Sequence, residues 1–322
     1  MHKIRHSEQD RGFVVREDSL SPLIVILGPT AAGKSALGIA LALRFNGEIV
    51  SADSRQVYRG MDIGTAKVTP AEQALVPHHL LDIADPHDLY SASQFQHAAI
   101  TAINDILHRG RVPFLVGGSP HYIQAVVDNL NMPRVPPQPE LRAALERRPL
   151  ADLLAQLEEL DPLSAATIDR NNPRRVQRAL EVCLVTGRPF SEQRGTGQPL
   201  YATLLLGIRW PRPVLYARID ARIDERMQQG LVQEVQRLLA QGLTHERLDA
   251  LGLEYRFVSR LLRGEFVDEA EMVQRLKYAT HDFVRRQLAW FRKDQRILWI
   301  EGGDQMVQEA EPKVYAFLTA IH

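Results

Sequence analysis

Leu23-Ile24-Val25-Ile26-Leu27-Gly28-Pro29-Thr30-Ala31-Ala32-Gly33-Lys34-Ser35 is the stretch that decides the fold. Its apolar run shows no alternation, so it reads as a strand buried on both faces. Gly28 to Ser35 then matches G-x-x-x-x-G-K-[ST] in full, and the small-residue stretch 36–45 beyond it reads as a helix. Strand, glycine loop and helix in that order are the context the motif requires. The glycines let backbone N–H groups curl around phosphate oxygens, and the helix presents its positive end to them. Lys34 can neutralise two phosphates at once, while the Ser35 hydroxyl can complete a magnesium shell. The motif calls for a polyphosphate without saying which one.

Outward from this loop, residues 48–52 and 112–116 form two more short apolar runs, with a helical stretch at 93–109 between them. Strands alternating with helices imply a parallel sheet in an α/β fold. Beyond Pro133, Pro136, Pro137 and Pro139 the pattern changes, and residues 140–186 are almost wholly helical in periodicity. Asp161-Pro162 and Asn172-Pro173 read as helix starts with proline at the first helical position. Residues 194–199 read as a glycine-rich linker, 202–208 as a strand, and everything after Pro213 as helices. In the last long helix Met272, Leu276, Ala279, Phe283 and Trp290 recur at helical spacing. The expected organisation is a disordered extension over residues 1–20, an α/β core from 21–128 and 201–322, and a helical insertion over 129–200.

Composition bounds the rest. With 322 residues, 45% hydrophobic and 24% charged, the chain can bury a full core without disulfides or metal. Cys183 is the one cysteine, in an apolar helical stretch, which excludes an internal disulfide framework and fits a reducing cytoplasm. No apolar run approaches a membrane span, and the charged N-terminal stretch lacks a signal-peptide core. Eleven histidines show no metal-ligand spacing, and no zinc-finger ligand set is present. The 39 basic and 39 acidic residues cancel, which alone argues against a nucleic-acid partner. Local charge says otherwise. Six arginines against three acids occupy 169–194, and five basic residues against one acid occupy 285–296.

Asp53, after the second apolar run, falls at the carboxyl edge of the sheet, where open α/β sheets bind ligands. From position alone it serves equally as a magnesium holder through water, a general base or a helix cap. The magnesium aspartate expected of an ordinary ATPase after the 112–116 run is missing, since that run leads into Gly117-Gly118-Ser119.

Together with Gly28–Ser35, the stretch Asp53-Ser54-Arg55-Gln56-Val57-Tyr58-Arg59-Gly60-Met61-Asp62-Ile63-Gly64-Thr65-Ala66-Lys67 closely resembles the tRNA dimethylallyltransferase family. Similar segments follow in order: His78-His79-Leu80-Leu81-Asp82-Ile83, Gly117-Gly118, Asn172-Pro173-Arg174-Arg175-Val176-Gln177-Arg178, Gly252-Leu253-Glu254-Tyr255-Arg256 and Arg285-Arg286-Gln287. The resemblance spans roughly residues 22–300. It implies a P-loop NTPase-like three-layer α/β core with a parallel sheet, plus a helical insertion domain. It further implies a cytoplasmic monomer that moves the dimethylallyl group of dimethylallyl diphosphate onto N6 of an adenine beside the tRNA anticodon, with Mg2+.

By the same transfer, Gly28, Pro29, Thr30, Ala31, Ala32, Gly33, Lys34 and Ser35 hold the diphosphate, Ser35 ligates the metal, and Asp53, Lys34 and Arg218 are catalytic. Contacts to the tRNA anticodon stem-loop fall to Asp53, Ser54, Arg55, Gln56, Ser119, Arg142, Arg174, Arg175, Val176, Gln177, Arg178, Tyr255, Arg256, Arg285, Arg286 and Gln287. Two departures from the family pattern stand out. Ser119-Pro120 replaces a Thr-Gly or Thr-Met pair, and Glu254 introduces a negative charge beside an expected RNA contact. The rivals are a prenyltransferase acting on free adenine nucleotides, a P-loop small-molecule kinase, and a nucleotide-gated RNA-binding protein. The arginine-rich insertion favours a macromolecular acceptor over the first of these.

Overall fold

The computed structural model describes residues 20–133 and 135–321; most of the expected N-terminal extension, residues 1–19, lies outside the described residues. Residues Gln124–Pro199 form one compact unit, and the described residues on either side of them form the other.

The larger unit opens with β1 (Pro22–Leu27), α1 (Lys34–Arg44) and β2 (Gly47–Ser51). Next come α2 (Pro70–Leu75), β3 (His78–His79), α3 (Ala92–His108), β4 (Val112–Gly117) and the start of α4 (Pro120–Val127). Capping boxes set two of these starts, Thr69 with Glu72 for α2 and Ser91 with Gln94 for α3. The smaller unit contains β5 (Leu130–Asn131), α5 (Pro139–Glu146), α6 (Leu150–Leu160), α7 (Pro162–Thr167), α8 (Pro173–Thr186) and β6 (Gly195–Thr196). The chain then re-enters the larger unit as β7 (Ala202–Arg209), α9 (Arg212–Gln228), α10 (Leu231–Ala240), α11 (His245–Ala250), α12 (Leu253–Leu262), α13 (Glu269–Phe291), β8 (Leu298–Glu301) and α14 (Met306–Ile321).

The central sheet runs β3-β2-β4-β1-β7-β8, with every pairing parallel. β1 and β4 lie in its middle and are wholly buried, as their unbroken apolar runs require. One hydrophobic cluster joins the sheet to α1 and α14; a second gathers α9, α10, α12 and α13 around Val57, Tyr58 and Met61. In the smaller unit Asn172 caps α8, Pro173 opens it and Gly187 ends it in the left-handed region. Cys183 is buried there among leucines and Val176, a packing role.

Three expectations need correction. The glycine-rich stretch 194–199 is not only a linker, because Gly195–Thr196 pairs antiparallel with Leu130–Asn131. The region after Pro213 is not all helical: Leu298–Glu301 is the sixth sheet strand, an edge strand with only Ile300 buried. In α13, Ala279, Phe283 and Trp290 do not share the buried face with Met272 and Leu276, which continues instead through Thr280, Val284, Gln287 and Phe291. Thr280 is tolerated there because its hydroxyl donates to the Leu276 carbonyl at 2.8 Å.

A buried carboxylate ties the sheet to α3. Glu48 on β2 is 2% exposed, and it accepts hydrogen bonds from both Arg109 terminal nitrogens and pairs with His79 at 2.7 Å. The Arg109 guanidinium, with His79 helping and burial opposing, holds the Glu48 carboxyl at about 2 rather than 4.5. A depressed folded-state pKa contributes stability above the ordinary value, and that contribution disappears as pH falls through the folded one. The expected loss on acidification from about 4.5 to about 2 is on the order of 3 kcal/mol. Denaturant titrations of the wild type and Glu48→Gln across that window should converge at the acid end.

Candidate active site

All three glycine-rich or acidic segments singled out in the sequence follow the carboxyl ends of sheet strands: Gly28–Ser35 after β1, Asp53 after β2 and Gly117-Gly118-Ser119 after β4. In the phosphate loop Ala31 takes a φ of 62° and Gly33 one of 95°, a left-handed path that turns successive N–H groups inward. Ala31 tolerates it because its small side chain packs into the helical cluster. Lys34 donates to the Pro29 carbonyl at 2.7 Å. Desolvation pushes its ammonium down to about 8, the charge of Asp53 pulls back, and Arg222 adds to the depression. A basic group so depressed gains from an arriving anion, since a negative neighbour restores the charged form.

Asp53 forms a local turn in which its Oδ1 accepts from the backbone N–H of Arg55 at 2.8 Å and of Gln56 at 3.4 Å. Both bonds use one oxygen, so a second carboxylate oxygen is left outside the turn. Ser119 anchors the same turn across the sheet edge: its Oγ accepts from the Ser54 N–H at 2.9 Å and donates to the Ser54 hydroxyl at 3.2 Å. Gly117 makes this approach possible. A Cβ there would meet the Ala52 carbonyl oxygen at 2.1 Å, which explains why no acidic residue ends β4. Pro120 is the first residue of α4, where no N–H is needed, so this departure from the family pattern is neutral for the backbone.

Gln56 and Gln287 act inward. Gln56 accepts from Ser51 and donates to the carbonyls of Thr65 and Ala66. Gln287, 6% exposed on α13, accepts from the Thr30 N–H at 3.2 Å and donates to the Gly118 carbonyl at 2.7 Å. It thereby ties the phosphate loop to the β4 end.

The stretch Asp62–Lys67 is held by a residue that sequence reading missed. Glu234 on α10 is 1% exposed and accepts four hydrogen bonds: from the N–H groups of Asp62 (3.0 Å), Ile63 (2.8 Å) and Gly64 (3.0 Å), and from the Tyr255 hydroxyl (2.7 Å). The Tyr255 ring leaves no room for a side chain at position 64, where a Cβ would lie 2.5 Å from it. Lys67, with its side chain 4% exposed, bridges Asp62 and Asp82.

On α9, Arg218 donates to the Ala31 carbonyl at 3.0 Å and lies 4.4 Å over the Trp210 ring, while Trp210 donates to the Ala32 carbonyl. The residue therefore braces the phosphate loop from α9. Arg222, one turn further along, is a second missed residue, and its charge acts on Lys34. The four-residue spacing Arg218, Arg222, Arg226 was the available signal.

The expected tRNA contacts divide. Val176 is 0% exposed in the core of the smaller unit and Tyr255 is 1% exposed, so neither side chain can touch RNA directly. Glu254 pairs with the buried Arg226, with side chains 18% and 7% exposed, and so does not tune a surface. Arg142 and Arg178 converge on Glu181, which is 0% exposed. Burial would raise the Glu181 pKa, but Arg142, the Gln138 N–H and Arg178 bring it to about 2. Arg174 and Arg175 are exposed on the first turn of α8, with Gln177 half-buried beside them. Arg285 and Arg286 are exposed on α13, where Arg285 pairs with Asp282. Arg256 donates to the Asp249 carbonyl at 2.8 Å, and Arg55 is half-buried beside the Asp53 turn.

Among the described residues no group of three or more His, Cys, Asp and Glu side chains is arranged to hold a metal, and no helix is long and apolar enough to cross a membrane. Ser35 in a phosphate cradle nevertheless suits magnesium, which takes most of its ligands from water and substrate phosphates.

Comparison with known proteins agrees with this architecture. The family model described as IPP transferase matches residues 56–294. A tRNA dimethylallyltransferase from Roseiflexus sp. is 52% identical over 89% of this chain and 95% of its own length, and one from Carboxydothermus hydrogenoformans is 42% identical over 91% and 96%. A solved tRNA isopentenylpyrophosphate transferase from Bacillus halodurans has a TM-score of 0.70 at 36% identity, covering 94% of this chain and 98% of that one. A eukaryotic dimethylallyltransferase solved acting on tRNA has a TM-score of 0.76 at 28% identity, covering 92% and 77%. With the family model matching residues of both units and a relative 52% identical over 89% of the chain, the chain belongs to the IPP transferase family of transferase enzymes.

Proposed function

We propose that this chain is a tRNA dimethylallyltransferase that moves the dimethylallyl group of dimethylallyl diphosphate onto N6 of the adenine next to the anticodon. The observation that carries the mechanism is that the phosphate loop and Asp53 follow the carboxyl ends of β1 and β2, the two strands flanking β4, and that Gln287 and Ser119 tie them both to the β4 end. A diphosphate on the loop brings its allylic carbon to the carboxylate side of the cleft. The C–O bond to diphosphate breaks, the N6–C bond forms, and the proton leaving N6 goes to Asp53. Lys34, Arg222 and the loop N–H groups take up the charge growing on the departing diphosphate, while Arg218 keeps the loop in shape. Magnesium held by the Ser35 hydroxyl supplies further neutralisation of that charge when bound.

Arg174, Arg175, Arg285 and Arg286 are assigned to the tRNA backbone, contacts that position without reading sequence. Val176 and Tyr255 are assigned to supporting these contacts from within, and Gln56 and Gln287 to shaping the cleft. A monomer working in the cytoplasm completes the proposal, supported by family likeness. The test is diphosphate release from dimethylallyl diphosphate with each candidate acceptor. Release that requires unmodified tRNA is expected; release with AMP or ATP alone would move the activity to free nucleotides.

A further inference from the structure

Beside the phosphate loop lies a cavity of about 20 Å³, with a polar lining of Ser35, Ser51, Gln56 and His78 and an apolar wall that includes Ile49 and Val116. That is room for one water molecule, and a polar cavity of this size holds one when it offers two or more partners.

His78 on β3 is the unusual member. Its Nδ1 lies 2.7 Å from the Val76 carbonyl oxygen. A carbonyl only accepts, so Nδ1 carries the proton and Nε2 presents a bare lone pair. Burial favours this neutral form, with Val76 and Glu72 opposing. Nε2 is buried and has no hydrogen-bond partner among the described residues. A buried acceptor left unpaired costs free energy, and nearly all such atoms find a partner, commonly an ordered water.

The neighbouring groups are already directed. The Ser51 hydroxyl donates to Gln56 Oε1 at 3.1 Å, so it can only accept from the cavity. The Gln56 amide nitrogen is spent on the Thr65 and Ala66 carbonyls. A water in the cavity can donate to His78 Nε2 and to Ser51, and its lone pair is then open to one donor. The Ser35 hydroxyl is the donor in the lining. A hydroxyl that ligates a cation must turn its proton away from it, and an outer partner that accepts this proton orients the ligand.

We propose that His78 is a positioning residue for the cation-binding hydroxyl of Ser35, acting through one water held in this cavity. The inference rests on the phosphate-loop reading above. It separates His78 from its neighbour His79, whose partner is the structural carboxylate Glu48.

The test is calorimetric binding of inorganic diphosphate at graded magnesium concentrations. Wild-type protein should bind diphosphate more tightly as magnesium rises. His78→Phe should raise the magnesium concentration required by about 10- to 100-fold and leave metal-free diphosphate binding unchanged. His78→Gln, whose Oε1 can replace the Nε2 acceptor, should restore the requirement. His78→Asn, whose amide can replace only the bond to Val76, should not. Rescue by asparagine instead of glutamine would assign His78 to holding the Val76 carbonyl and overturn the proposal. An unchanged magnesium requirement in His78→Phe would do the same. Wild-type binding indifferent to magnesium would overturn the phosphate-loop reading itself.

Discussion

Asp53→Asn is expected to lower the single-turnover rate of prenyl transfer by about 10²- to 10⁴-fold, with tRNA affinity nearly unchanged. The substitution separates two roles of one side chain. Asparagine keeps an Oδ1 that can accept the Arg55 and Gln56 N–H groups, so the local turn survives. It removes the carboxylate that takes the proton from the attacking amine. The donor KM should rise modestly, because the Asp53 charge helps keep Lys34 protonated. Asp53→Ala should lose the turn as well, weakening tRNA binding together with the rate. A near-normal rate in Asp53→Asn, with both substrates bound, would mean that the proton leaves by another path.

Glu234→Ala is expected to cost stability far beyond an ordinary surface change. It would leave three N–H groups and the Tyr255 hydroxyl without their acceptor inside the protein. Each unsatisfied buried donor costs on the order of 1–3 kcal/mol, partly relieved where water enters. A total of about 3–5 kcal/mol is expected in urea unfolding. Activity should fall further than the folded fraction, because Gln56 links the Thr65 and Ala66 carbonyls to Ser51, the last residue of β2, two residues before Asp53. Glu234→Gln keeps one acceptor but turns an amide donor toward other donors, so an intermediate loss is expected. A stability within about 0.5 kcal/mol of wild type, the range of an ordinary surface substitution, would show that the loop does not depend on this carboxylate.

The phosphate loop was legible because strand, glycines and helix are contiguous and each residue type has a mechanical reason to be there. Asp53 was legible by position after a buried strand, and the Asn172-Pro173 helix start by capping chemistry. Glu234 was not. Its three backbone partners lie 170 or more residues away, and in sequence it is one of 39 acids with nothing to single it out. β3 has two residues and β8 has one buried position, too little periodicity to announce a strand. Motif membership also concealed direction. Val176 and Tyr255 belong to segments shared with the family, but only the packed helix shows that both side chains point inward. Arg222 could have been found, since it repeats Arg218 at the spacing of one helical turn.

The most direct test of the central claim is nucleoside analysis after the purified protein is incubated with magnesium, labelled dimethylallyl diphosphate and unmodified tRNA. Label on N6 of one adenine beside the anticodon is the expected result. Label absent from tRNA and present only on added free nucleotide, or ATP consumed with no transfer at all, would contradict it.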